Sequence, residues 1–368
     1  MFRKPIAAAA LAASMIAGGA GANAADEINF GIISTEKTSN LKQTWEPFIA
    51  EMEKGTGLKI KAFFASDYAG IIEGMRFNKV QIAWYGNKSA MEAVDRADAE
   101  IFVQSVDKDG NPGYWSHLIV HKDSPIQKLD DVMKCDKSLD FGNGDPNSTS
   151  GFLVPMSYVF AVKGVDPKDC FKTVRAANHE ANALAVANKQ VHVATNNNEN
   201  LRRLEKTAPD AAAQIRIVWT SPLIPSDPLA WRKDLAADTK AKIYKFLMEY
   251  GRVGTEEVIK KQRAVLAELG WAPFRPSSND QLIPIRQLEV NKKLLKIQGD
   301  DKISADERKK QVKELQAALA KLEEQAKAVD KSATSQRFAA FAEADKAGKA
   351  TEVAKMIGEL AASVSAKN

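Results

Sequence analysis

Short apolar runs alternate with amphipathic stretches along the chain, beginning at residue 28. The runs at 28–33, 58–64 and 82–85 are short and bounded by polar or turn-forming residues, which is typical of buried strands. Between them, residues 41–54 carry apolar side chains at helical spacing, and residues 68–78 also have a helical pattern. This β-α-β-α-β order predicts an α/β fold, with a parallel or mixed sheet covered by helices.

A second group of elements follows the first. Apolar runs predict strands at 115–121, 139–143, 191–195 and 215–219, and a hydroxyl-rich sequence at Ser148 predicts the start of a helix. The second group therefore repeats the α/β character of the first.

Three prolines, Pro222, Pro225 and Pro228, follow the last of these strands. Proline removes a backbone donor, so they predict an irregular connection that returns the chain to the first unit. Helices are expected after it, at 238–251 and 256–270.

From Asn291 onward the chain contains no proline, tyrosine or tryptophan. Apolar residues recur there at alternating steps of three and four, which is typical of a heptad seam. The seam positions are Val312, Leu315, Leu319, Leu322, Ala326 and Val329, followed by Val353, Ile357, Leu360 and Val364. The pattern favours a helical hairpin or an oligomer contact, such as a homodimer formed through these helices, over disorder.

Residues 1–24 have the pattern of a secretory signal peptide. A positive pair comes first, residues 7–17 form an apolar run, and the small-x-small sequence Ala22-Asn23-Ala24 ends the segment. The apolar run is too short to cross a bilayer as a permanent anchor. We therefore expect cleavage after Ala24 and export into a periplasm-like space.

Composition narrows the functional classes. Hydrophobic residues make up 45% and charged residues 27% of the chain, the balance of a globular protein. The formal net charge of +5 is spread over many alternating acids and bases, without a dense basic block. We therefore expect no nucleic-acid partner.

Motifs for catalysis and for metal or nucleotide binding are absent from the sequence. The four histidines, His117, His121, His179 and His192, occur without a zinc-binding pattern. The glycines match neither nucleotide-binding loop, and no nucleophile elbow occurs. We therefore expect no metal, no cofactor and no enzymatic activity, including that of a secreted phosphoesterase.

Cys135 and Cys170 are the only cysteines. An oxidising compartment permits a disulfide between them, and two separate buried thiols are the alternative. The sequence leaves both open, because it does not give the distance between the two positions.

One loop carries a candidate anion site. A predicted strand ends at residue 143, and Ser148, Thr149 and Ser150 then open a helix. Unpaired N–H groups at a helix start and three hydroxyls suit a tetrahedral anion. An ordinary N-cap is the alternative, although a cap needs only one hydroxyl.

Five further residues lie in loop-like or turn-like sequence. Tyr68 and Tyr114 each offer an apolar ring and one hydroxyl donor, which suits a cleft closing on a small ligand. His179 precedes a predicted helix and has an imidazole able to donate to an anion. Glu199 and Asp227 are carboxylates whose simplest interpretation is that of solvated loop acids.

Taken together, these segments resemble the periplasmic phosphonate-binding proteins of bacterial ABC importers. The matching runs are 30–36 (FGIISTE), 67–72 (DYAGII), 82–87 (IAWYGN), 143–152 (NGDPNSTSGF), 182–190 (NALAVANKQ), 195–197 (TNN) and 221–225 (SPLIP). The resemblance implies a type II periplasmic binding fold, in which two α/β lobes joined by a hinge enclose a ligand cleft. It also implies a receptor that delivers phosphonates to a membrane permease.

The resemblance covers about residues 28–290 and implies where the lobes begin and end. The expected parts are the first part of lobe 1 at 25–115, lobe 2 at 116–220, the return part of lobe 1 at 221–290, and a helical extension at 291–368.

The resemblance also implies roles for the candidate residues. The phosphonate oxygens are expected to be held by Ser148, Thr149 and Ser150, together with Tyr68, Tyr114 and His179. Glu199 and Asp227 match acids that receive a ligand ammonium group. The sequence departs from the family pattern at His192, where an acid is usual, and in its two cysteines.

The two acids bear on the choice of ligand. A carboxylate close to a bound anion is costly unless it faces a cation. Glu199 and Asp227 therefore favour a zwitterion such as 2-aminoethylphosphonate, and a receptor for phosphite or phosphate is the alternative.

Overall fold

Two β-sheets, each covered by helices, organise the part of the chain that the structure describes, residues 27–300 and 302–365 of a computed structural model. The strands are β1 (Ile28–Ile32), β2 (Ile60–Phe64), β3 (Ile82–Trp84), β4 (Ala99–Asp107), β5 (Gly113–Tyr114), β6 (Ser116–His121), β7 (Asp140–Gly144), β8 (Thr173–Ala177), β9 (Val193–Asn197), β10 (Ile215–Thr220), β11 (Ile224–Pro225), β12 (Pro228–Arg232) and β13 (Trp271–Pro276).

Fourteen α-helices lie in the described residues. They are α1 (Thr38–Thr56), α2 (Tyr68–Arg76), α3 (Asn87–Arg96), α4 (Leu129–Val132), α5 (Pro167–Cys170), α6 (His179–Ala187), α7 (Asn198–Thr207), α8 (Pro209–Ala212), α9 (Ala237–Glu249), α10 (Glu256–Leu269), α11 (Ile283–Gln298), α12 (Ala305–Asp330), α13 (Ala333–Lys346) and α14 (Ala350–Ser365). Two π-helical turns (Thr149–Leu153 and Met156–Phe160) and two 3-10 turns (Ala161–Lys163 and Asn279–Leu282) complete the set.

The first sheet has six strands in the order β13-β4-β12-β3-β1-β2. Strand β1 pairs in parallel with β2 and β3, whereas β12 runs antiparallel between β3 and β4. Its core contains a cluster of aromatic rings, with the centroids of Trp45, Trp84 and Trp271 5.2–5.7 Å apart. The mixed sheet that the alternating pattern predicts is confirmed.

The second sheet has five strands in the order β10-β6-β9-β7-β8 and a separate core. Phe141, Phe160 and Phe171 pack at its centre, and all three rings are buried. A disulfide joins Cys135 to Cys170 beside this cluster. Of the two possibilities that the sequence left open, the structure therefore contains the bridge.

The chain passes between the two sheets twice, at residues 108–115 and 221–227. The two passages pair with each other, because β5 and β11 form a small antiparallel ladder between Tyr114 and Ile224. The lobe limits at 115 and 220 stay a prediction, because a lobe is defined by the residues that move together and a single structure does not describe that motion.

The elements predicted in the first two groups are present, with their ends shifted by at most three residues. Two central strands were missed. No strand was predicted at β4, which is the longest among the described residues. The connection expected to be irregular contains β12, because Pro228 stands at the first position of that strand, where a missing donor is tolerated.

The C-terminal helices confirm a helical hairpin for the first set of seam positions, 312–329. They correct the expectation of an oligomer contact for the second set, 353–364. Helix α12 packs against α11, and the six seam positions from Val312 to Val329 are half-buried there. The later set does not form an oligomer surface. Val353, Ile357 and Leu360 are buried, because α14 packs against α9 and joins the core of the first sheet.

The predicted signal peptide, residues 1–24 with its cleavage site after Ala24, lies outside the described residues. No helix in residues 27–300 or 302–365 is both long enough and apolar enough to cross a bilayer.

The packing of α14 makes a testable difference between two seam positions. Ile357→Ala should lower the free energy of unfolding by about 2–5 kcal/mol, because the side chain is fully buried in the core. Leu322→Ala, the matched control on half-buried α12, should cost clearly less. Equilibrium urea unfolding measures both. Equal losses, or a loss at Ile357 that depends on protein concentration, would contradict this packing.

Candidate ligand site

All eight candidate residues line one cavity between the two sheets. The cavity is narrow in this structure, with a volume of about 10 Å³, which is room for about one water molecule. The eight are Tyr68, Tyr114, Ser148, Thr149, Ser150, His179, Glu199 and Asp227. They come from both sheet units, so the cavity is completed only where the two units meet.

Three hydroxyls form one wall of the cavity, where a continuous helical stretch, residues 149–163, begins after β7. Each oxygen accepts a protein N–H. Ser148 Oγ accepts from the Gly151 amide at 3.0 Å, and Thr149 Oγ1 accepts from the Lys88 amide at 2.8 Å. Ser150 Oγ accepts from the Asn197 side-chain amide at 3.0 Å. Because each oxygen already has a donor, its own O–H proton remains free to be donated.

Glycine allows this wall to form. A Cβ added to Gly144 at the end of β7 would lie 2.4 Å from the backbone of Gly151. No side chain fits at that distance, so the strand end and the helical turn approach closely only with glycine there. This close approach holds the hydroxyl-bearing turn against the sheet.

His179 is not in a loop, contrary to the sequence-based prediction. It is the first residue of α6 and is buried. Asn197 Oδ1 accepts from the Asn200 amide at 2.7 Å, so its Nδ2 is the donor that meets His179 Nε2 at 3.2 Å. This contact assigns Nε2 as an acceptor and the proton of the neutral ring to Nδ1, which is buried without a hydrogen-bond partner in the described structure. Burial, with a smaller effect from Arg203, lowers the pKa of His179 to about 3.

Both tyrosines lie in regular elements, Tyr68 at the first residue of the helix predicted at 68–78 and Tyr114 in a strand where a loop was expected. Tyr68 begins α2, where Asp67 caps the helix by accepting from the Gly70 amide at 2.8 Å. Tyr114 lies in β5, at the passage between the sheets. Burial raises the pKa of both hydroxyls, so both remain protonated and able to donate.

The two acids are not solvated, which corrects the simplest interpretation of them. Asp227 is buried directly before β12, and its Oδ1 accepts from the Tyr114 hydroxyl at 2.9 Å. Glu199 is half-buried in the first turn of α7. Burial raises the pKa of both carboxyls, and the charge of Glu199 raises that of Asp227 further.

Four polar or aromatic residues of the cavity were not found from the sequence: Thr35, Trp84, Asn197 and Arg203. Thr35 Oγ1 and Trp84 Nε1 are buried without a hydrogen-bond partner in the described structure. The sequence contained two signals for the others. An asparagine directly before a helix is a good N-cap, and Arg203 lies one helical turn after Glu199.

The described residues contain no group of three or more histidine, cysteine, aspartate or glutamate side chains placed to hold a metal ion. The hydroxyls and carboxylates of the cavity instead suit a small ligand with an anionic end and a cationic end.

Comparisons with known proteins show the family to which this chain belongs. Residues 30–282 match the family described as "ABC transporter, phosphonate, periplasmic substrate-binding protein". The chain belongs to this family. The members of this family are periplasmic substrate-binding components of transporters rather than enzymes. The resemblance of this chain to the family, which the sequence runs indicated, is thereby confirmed.

Individual relatives support the assignment. The chain is 56% identical over 292 residues to the phosphonates-binding periplasmic protein of Escherichia coli K12, which covers 79% of this chain and 84% of the relative. A crystal structure of a binding protein component of an ABC phosphonate transporter from Pseudomonas aeruginosa aligns with a TM-score of 0.80 and 54% identity, over 83% of this chain and 99% of that chain. The type II periplasmic binding fold is thereby confirmed.

A phosphate-import protein of Mycolicibacterium smegmatis is a more distant relative. It is 34% identical over 172 residues, which is 44% of this chain and 52% of that protein. Members of this wider group therefore carry names for different phosphorus-containing ligands.

The neutral state of His179 gives a prediction about stability. The native pKa is lowered, so the unfolded state binds more protons below about pH 6.5, and stability should fall as the pH drops from there toward about 3. The loss should approach about 1.4 kcal/mol per pH unit. His179→Gln keeps an acceptor but does not titrate, so its unfolding free energy should depend less on pH.

Urea unfolding of the two proteins between pH 4 and pH 8 measures the difference. His192→Gln is the control, because it removes a histidine whose side chain is 51% exposed. If the unfolding free energies of His179→Gln and the parent protein depend on pH in parallel, the assignment of a neutral, buried imidazole to His179 is wrong.

Proposed function

We propose that this protein captures organophosphonates in the periplasm and delivers them to the permease of an ABC importer, with 2-aminoethylphosphonate or a similar zwitterion as the preferred ligand. The observation that carries the proposal is the pairing of two opposed chemistries in one cavity, three hydroxyl donors on one wall and two carboxyls facing the same space.

At the anionic end, the proposed contacts are neutral donors. Ser148, Thr149 and Ser150 each accept one N–H group, which leaves their protons to donate. His179 Nε2 lies 3.4 Å from Ser148 Oγ and 3.5 Å from Ser150 Oγ, so the ligand oxygens would replace the imidazole as acceptor for these two hydroxyls. The hydroxyls of Tyr68 and Tyr114 line the same space, and that of Tyr114 would have to leave Asp227 Oδ1, to which it donates at 2.9 Å, in order to reach a ligand oxygen. Hydrogen bonds to a charged oxygen are worth about 1.5–3 kcal/mol each, so several of them offset the desolvation of a dianion.

At the cationic end, the proposed partners of the ammonium group are Glu199 and Asp227. Both carboxyls face the cavity, and burial disfavours their charged forms when nothing compensates them. A ligand ammonium group supplies that compensation. The alternative ligands, phosphite and the phosphate named for the Mycolicibacterium smegmatis relative, lack a cation to face these acids.

We further propose that the lobes at 25–115 with 221–290 and at 116–220 close on the ligand. Polar contacts between the lobes support this. Glu180 accepts from the Lys37 amide at 2.7 Å and from the Asn40 side chain at 2.9 Å. Arg202 donates to Asp109 at 2.9 Å. The Arg202–Asp109 pair is half-exposed and contributes little stability, so it is suited to a contact that breaks and reforms, whereas Glu180 is buried in this structure and would become exposed on opening.

Two further expectations stay predictions. Cleavage after Ala24 would release the mature chain, and association through the C-terminal helices would make it a homodimer. The second expectation has less support, because α14 is packed against α9 and only the half-buried seam of α12 remains for a partner.

Closure predicts a change in shape and stability. Saturating 2-aminoethylphosphonate should reduce the radius of gyration in solution scattering and raise the melting temperature, since ligand at 100 times its Kd adds about 2.7 kcal/mol. Sulfate at equal ionic strength is the control for a general salt effect. A higher melting temperature at an unchanged radius of gyration would mean binding without closure and would count against the hinge.

Paired substitutions test the assignment of the two ends. Thr149→Ala or Ser150→Ala removes one donor to a charged oxygen, so binding should weaken by about 1.5–3 kcal/mol for both methylphosphonate and 2-aminoethylphosphonate. Glu199→Gln or Asp227→Asn should weaken the aminophosphonate by a similar amount, through loss of a charge-assisted bond. Methylphosphonate should keep its affinity or bind more tightly, because a repulsive carboxylate is gone.

The measurement is a set of dissociation constants by calorimetry, four variants against two ligands at fixed salt and pH. Phosphate and phosphite are titrated in parallel against the parent protein. Equal losses for both ligands in the two acid variants would show that the acids only shape the cleft. Phosphate binding more tightly than either phosphonate would favour the alternative ligand class.

A further inference from the structure

The proposed ligand cavity contains more carboxylate than free cation. Glu199 and Asp227 line it, and Arg203 is the one arginine or lysine among its described lining residues. Arg203 is already engaged, because its Nε donates to Glu36 across the cleft. The cavity therefore has two acids and no unpaired cation to balance them.

No cationic side chain donates a hydrogen bond to either acid within the described residues. Asp227 accepts from neutral donors, the Tyr114 hydroxyl at 2.9 Å and the Asn87 side chain at 3.4 Å, both on Oδ1. The backbone amide of Asn87 is a further donor toward Asp227, whereas the Glu199 carboxyl has no donor within the described residues. Asp227 is buried and Glu199 is half-buried in the same narrow cavity, so each carboxylate disfavours the ionisation of the other.

We propose that the Glu199 and Asp227 pair carries one proton when the site is empty or holds a phosphonate without a cation, and that a ligand ammonium group displaces this proton to solvent. The inference rests on the proposed function. It goes beyond that function because a bound proton, in the absence of a ligand ammonium group, neutralises one negative charge of the two acids. The only bond broken is the carboxyl O–H, whose proton passes to water, and the ammonium group keeps its three protons.

The charged and titratable groups around Glu199 and Asp227 are consistent with a protonated pair. Those that face it from the packed elements are Arg202, Arg203, Asp107, Tyr68, Tyr114 and His179. Arg202 and Arg203 favour ionisation of Glu199, but both donate to other acids, Asp107 and Glu36. The tyrosines and His179 are neutral, so they add no positive charge.

The proposal gives opposite pH dependences for two ligands of the same shape. A proton competes with the ammonium group of 2-aminoethylphosphonate, so its affinity should rise with pH by up to tenfold per unit where the pair titrates. Propylphosphonate replaces the ammonium group with a methyl group. It needs the pair protonated, so its affinity should fall as the pair ionises.

Two measurements on the full protein test this. Calorimetry in two buffers with different ionisation enthalpies, neither a phosphonate nor a sulfonate, gives the number of protons released per ligand. The same ligand is titrated into Glu199→Gln and Asp227→Asn, so that the ligand's own ionisation cancels. Infrared difference spectra, which do not depend on the variants, follow the C=O stretch of a protonated carboxyl.

The expected result is a release of up to one additional proton with 2-aminoethylphosphonate, together with loss of the carboxyl signal, and neither change with propylphosphonate. If both ligands bind with equal numbers of released protons and an unchanged infrared spectrum, the proposal of a proton on the pair is wrong. The proposed capture of phosphonates would not be contradicted by that result. If neither phosphonate binds, the proposed function itself is wrong.

Discussion

The cost of removing charge from water is the constraint on which the rest of this structure depends. The cavity is buried, so every charged group in it must be met by a donor, an acceptor or an opposite charge. The three hydroxyls show how the chain does this without lysine. Each is held as a donor because a protein N–H occupies its oxygen. Those N–H groups come from both lobes, so the donor wall depends on the fold around it.

The same constraint accounts for the state of His179. In a buried site beside Arg203, a second cation on the imidazole is disfavoured, and the ring accepts at Nε2 instead. Asn197 determines this arrangement, since its oxygen caps α7 and its nitrogen is left to donate to both His179 and Ser150. A capping residue thus also sets the tautomer of its neighbour.

Local patterns predicted the elements of this fold well where burial and periodicity agree, as in α1 and β1. They failed where tertiary context decides. Pro228 argued for an irregular segment, but a strand accepts proline at its first position, and β12 is central in the sheet. The seam residue Ile357 has the spacing of a coiled coil, yet its partner is α9 of the same chain. Spacing fixes which face is apolar, but not what covers it.

The candidate site was predictable in its residues and less so in its chemistry. The hydroxyl run and the family resemblance pointed to the eight residues that line the cavity. Neither revealed that Glu199 and Asp227 are desolvated or that Tyr114 donates to Asp227, because such facts depend on chain segments more than 100 residues apart. Arg203 was missed for the same reason, since its partner Glu36 lies in the other lobe.

Helix α7 joins the ligand cavity to the closure of the lobes. Glu199 in its first turn faces the cavity, and Arg202 and Arg203 about one turn later reach acids of the opposite lobe. The helix is short and its N-terminus is capped by Asn197, so these side chains are carried on one rigid element. A change in the orientation of α7 on ligand binding therefore alters the contacts between the lobes at the same time. Under the proposed function, recognition of the ligand ammonium group and closure of the cleft would thus both involve the same ten residues.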